Sequence, residues 1–290
     1  MSFDNLATER KNPRRIDGKS TDEILRIINE EDSNVPAAVG GAINRIARAV
    51  DAMYERIKDE EARLIYAGAG SSGRIGVMDA SELKPTFNFD RAIALIAGGM
   101  EAFFYAREAS EDDEKKGADD IKRIEVNSKD CVIGISASGR TPYTLGALNE
   151  AKERKALTIL VSCDPEIKHN FDHEIAIEVG PEILAGSTRM KSGTAEKLVL
   201  NMMSTALMVK LGKVYRNMMV DLTPKNEKLV DRALRIIMEC ADVDRSTAEL
   251  FFEKSGRNAK RAIVMIRKSV SKEEAEKMLR EKTIRELLGD

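Results

Sequence analysis

Short apolar runs alternate with helical patterns through the middle of this chain, and this alternation constrains the fold more than any other feature. The runs are Arg63–Ala67, Ala92–Ala97, Cys131–Ile135, Leu157–Ser162 and Ile175–Val179. Helical patterns separate them, including one at about 72–83, which Pro85 is expected to end, and one at about 142–154. Strands joined by crossover helices run parallel and are buried on both faces. The sequence therefore predicts an α/β fold with a parallel sheet covered by helices on both faces.

Helical patterns without strands occupy both ends of the chain. Apolar residues recur three and four positions apart in Thr21–Ile28 and Val35–Ile57, which is typical of amphipathic helices. Ser192–Gly212 is rich in Leu, Met and Ala, so we expect one long, heavily buried helix there. Helical segments follow from about 226 to 290, separated at Gly256 and at 269–271. This region is predicted to be a small all-helical C-terminal subdomain.

The composition argues against two classes of partner. Of 290 residues, 47 are Lys or Arg and 49 are Asp or Glu, for a formal net charge of −2. That balance provides no overall field to hold nucleic acid or an anionic membrane. Aromatic residues make up 4% and Trp is absent, so platforms for stacking bases are not expected. The apolar runs are too short or too interrupted to span a bilayer. We expect neither nucleic acid nor membrane as a partner.

Cysteine usage and the N-terminal segment favour a cytoplasmic location. The cysteines are odd in number and lack C-x-x-C spacing: Cys131, Cys163 and Cys240. Buried free thiols in a reducing compartment are therefore predicted. The first residues, MSFDNLATERKNPRR, are basic, but no apolar segment follows them. A secretory signal is not expected.

Three loops rich in Gly, Ser and Thr are predicted to meet at one edge of the sheet. LIYAGAGSSGRIG (64–76) and VIGISASGRTPYT (132–144) resemble each other, and GSTRMKSGT (186–194) precedes the long helix. Open α/β sheets bind ligands at the carboxyl ends of their strands, and amides at a helix start favour an anion. The candidate ligands of a phosphate monoester are Ser71, Ser72, Ser136, Ser138, Arg140, Thr141, Ser187, Arg189 and Lys191. The sequence thus indicates a phosphorylated small molecule.

Nucleotide binding is the main rival for the first loop. Gly68, Gly70 and Gly73 satisfy the G-x-G-x-x-G pattern. A dinucleotide site also needs an acidic residue at the end of the next strand. That strand ends in Leu-Ile-Ala-Gly-Gly, and the first carboxylate after it is Glu101. The P-loop pattern, G-x-x-x-x-G-K-[ST], is also absent from the sequence. No nucleotide cofactor is therefore expected.

Metal catalysis and nucleophilic catalysis also lack their usual residues. The chain has two histidines, His169 and His173, and the segment between them is predicted to be a surface loop. No H-E-x-x-H pattern is present. Schemes that pair Ser or Cys with a His base are likewise unsupported. Acid–base chemistry must then fall on carboxylates, and no metal site is predicted.

Several segments resemble one known family. GAGSSGRIG, DASELKPT, LIAGG, SASGRTPY and above all GSTRMKSGTAEKLVLNM are similar to the N-acetylmuramic acid 6-phosphate etherases of the sugar isomerase (SIS) superfamily, which are related to the glucokinase regulatory protein. The resemblance runs from Thr8-Glu9 to the helical tail. It implies a three-layer α/β/α sandwich and a homodimer. The expected divisions are an N-terminal arm with helices (1–50), the phosphosugar-binding catalytic domain (51–217) and a UBA-like helical tail (218–290).

The resemblance also implies the reaction and two catalytic residues. The family cleaves the lactyl ether of N-acetylmuramate 6-phosphate with water, giving N-acetylglucosamine 6-phosphate and D-lactate, without metal or nucleotide. Its catalytic glutamates correspond to Glu82 and Glu111, although Asp112 to Glu114 offer neighbouring carboxylates. We expect Glu111 to remove the C2 proton and Glu82 to protonate the departing oxygen. A sugar-phosphate aldose–ketose isomerase and a non-catalytic phosphosugar sensor remain alternatives.

The spacing of Glu82 bears on where the site lies. Glu82 follows Gly73 by nine residues, which is about 13 Å along a continuous helix. That distance exceeds the separation of C6 from C2 or C3 in one sugar. Either the helix breaks before Glu82, or Glu82 serves the phosphate loops of a partner subunit. We expect the second arrangement, with the active site near the subunit interface of a homodimer.

Overall fold

The computed structural model describes residues 10–105, 107–224 and 226–289. Its central sheet consists of β1 (Leu64–Gly68), β2 (Ala92–Ile96), β3 (Cys131–Ile135), β4 (Leu157–Ser162) and β5 (His173–Ala176). The strands are parallel and lie in the order β2-β1-β3-β4-β5. The predicted parallel sheet is confirmed. The last strand begins two residues before its predicted start and ends three residues before its predicted end. The loop predicted between the two histidines, 170–172, directly precedes it.

Helices precede, separate and follow the strands. In the described residues they are α1 (Thr21–Asp32), α2 (Val35–Gly40), α3 (Ile43–Ile57), α4 (Gly70–Phe87), α5 (Glu101–Phe104), α6 (Glu114–Arg123), α7 (Pro142–Glu153), α8 (Lys191–Lys210), α9 (Glu227–Ala241), α10 (Arg245–Lys254), α11 (Ala259–Lys268), α12 (Lys272–Glu281) and α13 (Ile284–Leu288). A short 3₁₀ turn covers Glu108–Ser110.

Two helices differ from the prediction. The pattern predicted as one helix over Val35–Ile57 is interrupted after Gly40, because two adjacent glycines weaken a helix. Helix α4 continues through Pro85 to Phe87. In the last turn the proline removes one hydrogen bond, while its fixed φ remains compatible with a helix. The actual end is at Asn88, whose φ is +52° and whose N–H bonds the Lys84 carbonyl at 2.9 Å.

Neighbouring residues of a strand face different helical layers. Ile65 of β1 packs in one apolar core with Ile121 of α6 and Leu148 of α7. Tyr66 points to the other face, where its Oη donates to Asp79 Oδ2 on α4 at 2.7 Å. Since successive side chains of a strand alternate in direction, helices cover both faces. The three-layer α/β/α arrangement is confirmed.

The C-terminal region is helical, as predicted. Ile237, Phe252 and Ile263 are fully buried within one apolar core formed by α9 to α13 and the segment before them. The predicted breaks occur at Gly256 and Ser269, which adopt φ values of +74° and +53°. Such positive φ values end a helix because they reverse the backbone twist.

A small hairpin that the sequence did not predict precedes the C-terminal helices. Its strands are β6 (Val214–Tyr215) and β7 (Met218–Met219), which pair antiparallel. The two residues between them, Arg216 and Asn217, have φ values of +47° and +62°. Positive φ at both central residues is the signature of a type I′ turn, which fits a two-residue hairpin loop.

The chain divides into two compact units. One comprises Arg91–Ser204 with the described part of Met1–Ala80, and the other comprises Ser81–Asp90 with the described part of Thr205–Asp290. The first unit holds the five-stranded sheet and the second holds the C-terminal core. The bounds 51–217 and 218–290 remain a prediction. None of the helices in the described residues combines the length and apolar character needed to cross a bilayer.

Candidate active site

Three loops and one acidic segment line a cavity of about 360 Å³ at the carboxyl edge of the sheet. Six predicted site residues line it: Ser71, Ser72, Glu111, Ser138, Arg140 and Thr141. Asp112, Gly186 and Thr188 contribute further wall. Five predicted residues are not among its lining: Glu82, Ser136, Ser187, Arg189 and Lys191. The cavity thus unites hydroxyl groups and a guanidinium with two carboxylates.

Close packing of backbone fixes the first loop. A Cβ on Gly73 would lie 2.7 Å from the Gly68 carbonyl oxygen, so only glycine allows the end of β1 to meet the start of α4. Gly70 adopts φ +52° and opens the helix. The following residues, Ser71 and Ser72, line the cavity at the first turn, where backbone N–H groups lack partners within the helix. The glycine pattern therefore has a structural cause that requires no dinucleotide.

The second loop is held by hydrogen bonds among its own hydroxyl groups. Ser136 is 1% exposed, and its Oγ lies 2.8 Å from Thr141 Oγ1. Ser138 Oγ accepts the Arg140 N–H at 3.2 Å. Ser136 thus lies behind the cavity wall and orients Thr141. The Nε of Arg140 is buried and has no hydrogen-bond partner within residues 10–105, 107–224 and 226–289. Arg140 also lines the cavity, where its positive charge favours an anion.

The third loop contributes less than the sequence predicted. Lys191 is 3% exposed, and its Nζ pairs with Glu31 Oε2 at 2.8 Å. The backbone N–H groups of Lys191 and Ser192 donate to Glu182 at 2.9 and 2.8 Å, and Ser192 Oγ donates at 2.9 Å. The anion position at the start of α8 is therefore already filled by the Glu182 carboxylate. A buried ammonium requires a paired carboxylate, so Lys191 is engaged within the protein, whereas Arg189 is exposed.

Helix packing brings Glu111 to the cavity. Helices α6 and α7 cross so closely that a Cβ on Gly117 would lie 2.0 Å from the Tyr143 carbonyl oxygen, and a Cβ on Gly146 would lie 2.0 Å from that of Glu114. The Tyr143 N–H donates to the Glu111 carbonyl at 3.0 Å. This bond ties the segment before α6 to the start of α7, which follows the second loop. The Glu111 side chain itself is exposed.

Glu82 lies on a continuous helix. Helix α4 runs from Gly70 to Phe87 without interruption, so the alternative in which the helix breaks before Glu82 is wrong. Glu82 follows Gly70 by twelve residues, which corresponds to about 18 Å of helix. The Glu82 side chain is exposed. Its service to a partner subunit stays a prediction.

Two buried acids in this unit were missed by the sequence reasoning. Glu196 on α8 is 1% exposed and accepts a hydrogen bond from Ser72 Oγ at 2.8 Å. Burial raises the pKa of Glu196 to about 8. Burial also raises the pKa of Asp79, which accepts from Tyr66, Ser204 and Asn201. The sequence does contain a feature that points to Glu196: it is the one acidic residue in the long apolar segment 192–212, which is predicted to be a buried helix.

The histidines lie apart from the candidate chemistry. His169 Nε2 lies 2.8 Å from the Gly139 carbonyl oxygen and so supports the second loop from outside. Burial lowers the pKa of His173, on β5. No group of three or more His, Cys, Asp or Glu residues in the described part of the chain is arranged to hold a metal ion. The three cysteines are buried free thiols, as predicted.

Comparisons with known proteins agree with this architecture. Family models described as the glucokinase regulatory protein N-terminal SIS domain and the SIS domain match residues 45–152 and 117–206. A solved structure from Bacteroides fragilis NCTC 9343, provisionally described as a phosphosugar isomerase involved in capsule formation, aligns with a TM-score of 0.52 at 16% identity. The alignment covers 68% of this chain and 95% of that one. At this identity the likeness concerns the fold.

Full-length relatives are more similar. The N-acetylmuramic acid 6-phosphate etherase of Lactobacillus acidophilus is 49% identical over 285 residues, covering 96% of this chain and 95% of its own. That of Rubrobacter xylanophilus is 46% identical over 291 residues, covering 98% and 96%. Because nearly the whole of both chains aligns at almost half identity, this chain belongs to the N-acetylmuramic acid 6-phosphate etherase family.

Proposed function

We propose that the protein is a carbon–oxygen lyase that cleaves the lactyl ether of N-acetylmuramic acid 6-phosphate with water, producing N-acetylglucosamine 6-phosphate and D-lactate. Its place is amino-sugar catabolism and peptidoglycan recycling in the cytoplasm. The observation that carries the proposal is the cavity in which Ser71, Ser72, Ser138, Arg140 and Thr141 share a wall with Glu111, in a chain from the etherase family. Relatives bearing that name support the substrate.

The hydroxyl-rich wall is the phosphate site. Amides at the start of α4 and the hydroxyls of Ser71, Ser138 and Thr141 are donors, and a phosphate monoester dianion accepts only. Arg140 adds a positive charge, and its buried Nε lacks a partner in the described residues. Ser136 acts behind them by holding Thr141. Lys191 is engaged by Glu31 and does not serve the phosphate.

The reaction is an elimination followed by hydration. Opening of the sugar ring gives a C1 aldehyde, which acidifies the proton on C2. Glu111 removes that proton, the electron pair forms the C2–C3 double bond, and the C3–O bond breaks. Glu82 protonates the departing lactyl oxygen, and its carboxylate then takes a proton from the water that adds at C3, while Glu111 returns its proton to C2. Two carboxyl groups with different environments can divide this work, each step contributing about 10²–10⁴-fold.

A homodimer explains how one site obtains both glutamates. Glu82 is about 18 Å along α4 from the first-turn amides, too far for one sugar phosphate to reach both on the same helix. The exposed Glu82 of one subunit therefore completes the cavity of its partner. Mixing inactive Glu82→Ala with inactive Ser138→Ala should restore activity in heterodimers, and no recovery after verified subunit exchange would reject the shared site.

The direct test is incubation of the purified protein with N-acetylmuramate 6-phosphate and assay of D-lactate. We expect lactate and N-acetylglucosamine 6-phosphate in equal amounts, with or without a chelator. A ketose phosphate without lactate would indicate an isomerase instead, and binding without turnover would indicate a sensor.

Deuterium exchange at C2 tests the roles of the two glutamates: Glu111→Gln should abolish exchange, whereas Glu82→Gln should retain it. The opposite pattern would exchange the two roles.

A further inference from the structure

A buried carboxyl group lies directly behind the proposed phosphate site. Glu196 Oε1 lies 2.8 Å from Ser72 Oγ, and Ser72 lines the cavity. The other oxygen, Glu196 Oε2, is buried without a hydrogen-bond partner in the described residues. An ionised carboxylate held by one hydrogen bond in the protein interior is poorly compensated for its lost hydration. This group therefore has a reason to change its protonation state.

The protonation state of Glu196 decides what Ser72 offers to the cavity. A serine hydroxyl has one hydrogen and two lone pairs. When Glu196 is ionised, that hydrogen is committed to Glu196 Oε1, and only lone pairs face the cavity. When Glu196 is protonated, the carboxyl group donates to Ser72 Oγ, and the hydroxyl hydrogen can point into the cavity. A phosphate dianion accepts hydrogen bonds only, so it is complementary to the second state.

We propose that Glu196 is a positioning residue that is protonated whenever the substrate phosphate is bound, taking up a proton from solvent in those molecules in which it was ionised, so that Ser72 donates its hydroxyl hydrogen to the phosphate. The inference rests on the proposed function, because it requires a phosphate beside Ser72. It adds a residue that touches no part of the sugar and a coupling between substrate binding and pH.

The surroundings of Glu196 favour its protonated form. Burial raises its pKa to about 8, the Ser72 hydrogen bond lowers it, and the charge of Glu182 before α8 raises it. Cys163, after β4, is neutral because burial raises the pKa of its thiol well above the usual range, with the charge of Glu196 adding to the shift. The carboxyl is therefore protonated in most molecules at pH 7 and ionised in most above pH 8. A phosphate dianion at Ser72 shifts this balance toward the protonated form.

Calorimetric titration with N-acetylglucosamine 6-phosphate tests the coupling. The ligand phosphate is already a dianion above pH 7, since its second pKa is about 6. For the wild-type protein we expect Kd to rise by up to about tenfold for each pH unit above 8, because binding then requires uptake of a proton. In Glu196→Gln the side-chain amide can donate an N–H to Ser72 and does not titrate, so its Kd should change little between pH 7 and 9.5.

Controls separate this coupling from a general effect of the substitution. Glu153→Gln makes the same chemical change at an exposed position near the end of α7 and should retain the wild-type pH profile. Titrating the wild type at pH 8.5 in two buffers of different ionisation enthalpy gives proton uptake directly, without any variant. We expect uptake of up to about three-quarters of a proton per site, which is the ionised fraction of a group with a pKa of about 8 at pH 8.5.

Different results would overturn the role of Glu196 and the proposed etherase function. Equal pH profiles for wild type and Glu196→Gln, or no proton uptake by the wild type at pH 8.5, would overturn the role of Glu196 and leave phosphate binding intact. Absence of wild-type binding at every pH would remove the proposed function and this inference with it.

Discussion

Gly146→Ala is the change that most directly tests how Glu111 is held beside the phosphate loops. The added methyl would lie 2.0 Å from the Glu114 carbonyl oxygen and 2.9 Å from Glu114 Cγ. Ordinary van der Waals contact begins at 3.4 Å, so α6 and α7 must separate by more than 1 Å. The same crossing holds the Glu111 carbonyl on the Tyr143 N–H. The separation should therefore displace Glu111 as well as loosen the core.

The size of both effects follows from this geometry. Overpacking of this kind costs about 1–3 kcal/mol, which corresponds to a fall in Tm of roughly 2–12 °C. A displacement of 1 Å at a catalytic group reduces the rate by about 10²-fold. We thus expect a large loss in kcat for lactate release. The Kd for N-acetylglucosamine 6-phosphate should change much less, because the loop with Ser71 and Ser72 joins β1 to α4, and neither element takes part in this crossing.

Thermal unfolding, lactate release and product binding are the assays. Gly40→Ala is the matched control, since a Cβ there has nothing within 4 Å and its backbone is helical. It should unfold within a degree or two of wild type and keep full activity. If Gly146→Ala unfolds at the wild-type temperature, the close crossing is refuted. A lower Tm with unchanged kcat would refute the link between the crossing and Glu111.

Three further predictions concern buried charges and thiols. Lys191→Ala should lower the free energy of unfolding by up to about 3 kcal/mol, because it removes the ion-pair partner of Glu31, which Arg14 still approaches at 3.8 Å. The Kd for N-acetylglucosamine 6-phosphate, measured by calorimetry, should stay within about threefold of wild type. Unchanged stability together with a weaker Kd would show instead that Lys191 binds the phosphate. Because the raised pKa of Glu196 makes its ionisation unfavourable in the folded state, its contribution to stability should fall as pH rises from about 4.5 to 8. The Tm difference between Glu196→Gln and wild type should accordingly increase over that range, and a constant difference would contradict the shift. All three cysteine thiols are buried, so a thiol reagent at pH 8 should label them only after unfolding in guanidinium, and rapid labelling of the native protein would contradict their burial.

The sequence determined the parts of this protein that depend on local pattern. Apolar runs such as Cys131–Ile135 and Leu157–Ser162 gave strands with the predicted bounds, because buried parallel strands are apolar along their whole length. The loops at Ser71 and Ser138 could be placed at one sheet edge because parallel strands end there together. The helix end predicted at Pro85 was wrong, because a proline in the last turn removes only one hydrogen bond and α4 continues to Phe87.

Only the tertiary structure decided which polar groups face the cavity and which face each other. Lys191 follows the Ser/Thr loop in sequence, yet it pairs with Glu31, 160 residues away. Glu182 fills the anion position at α8, and Glu196 lies 124 residues from the Ser72 that it contacts. Such partners are set by chain topology and by the cost of burying an unpaired charge. Periodicity and spacing carry no information about chain topology or the cost of burial. The loops at the cavity could therefore be predicted, whereas the carboxylates Glu31, Glu182 and Glu196 could not be assigned to their partners.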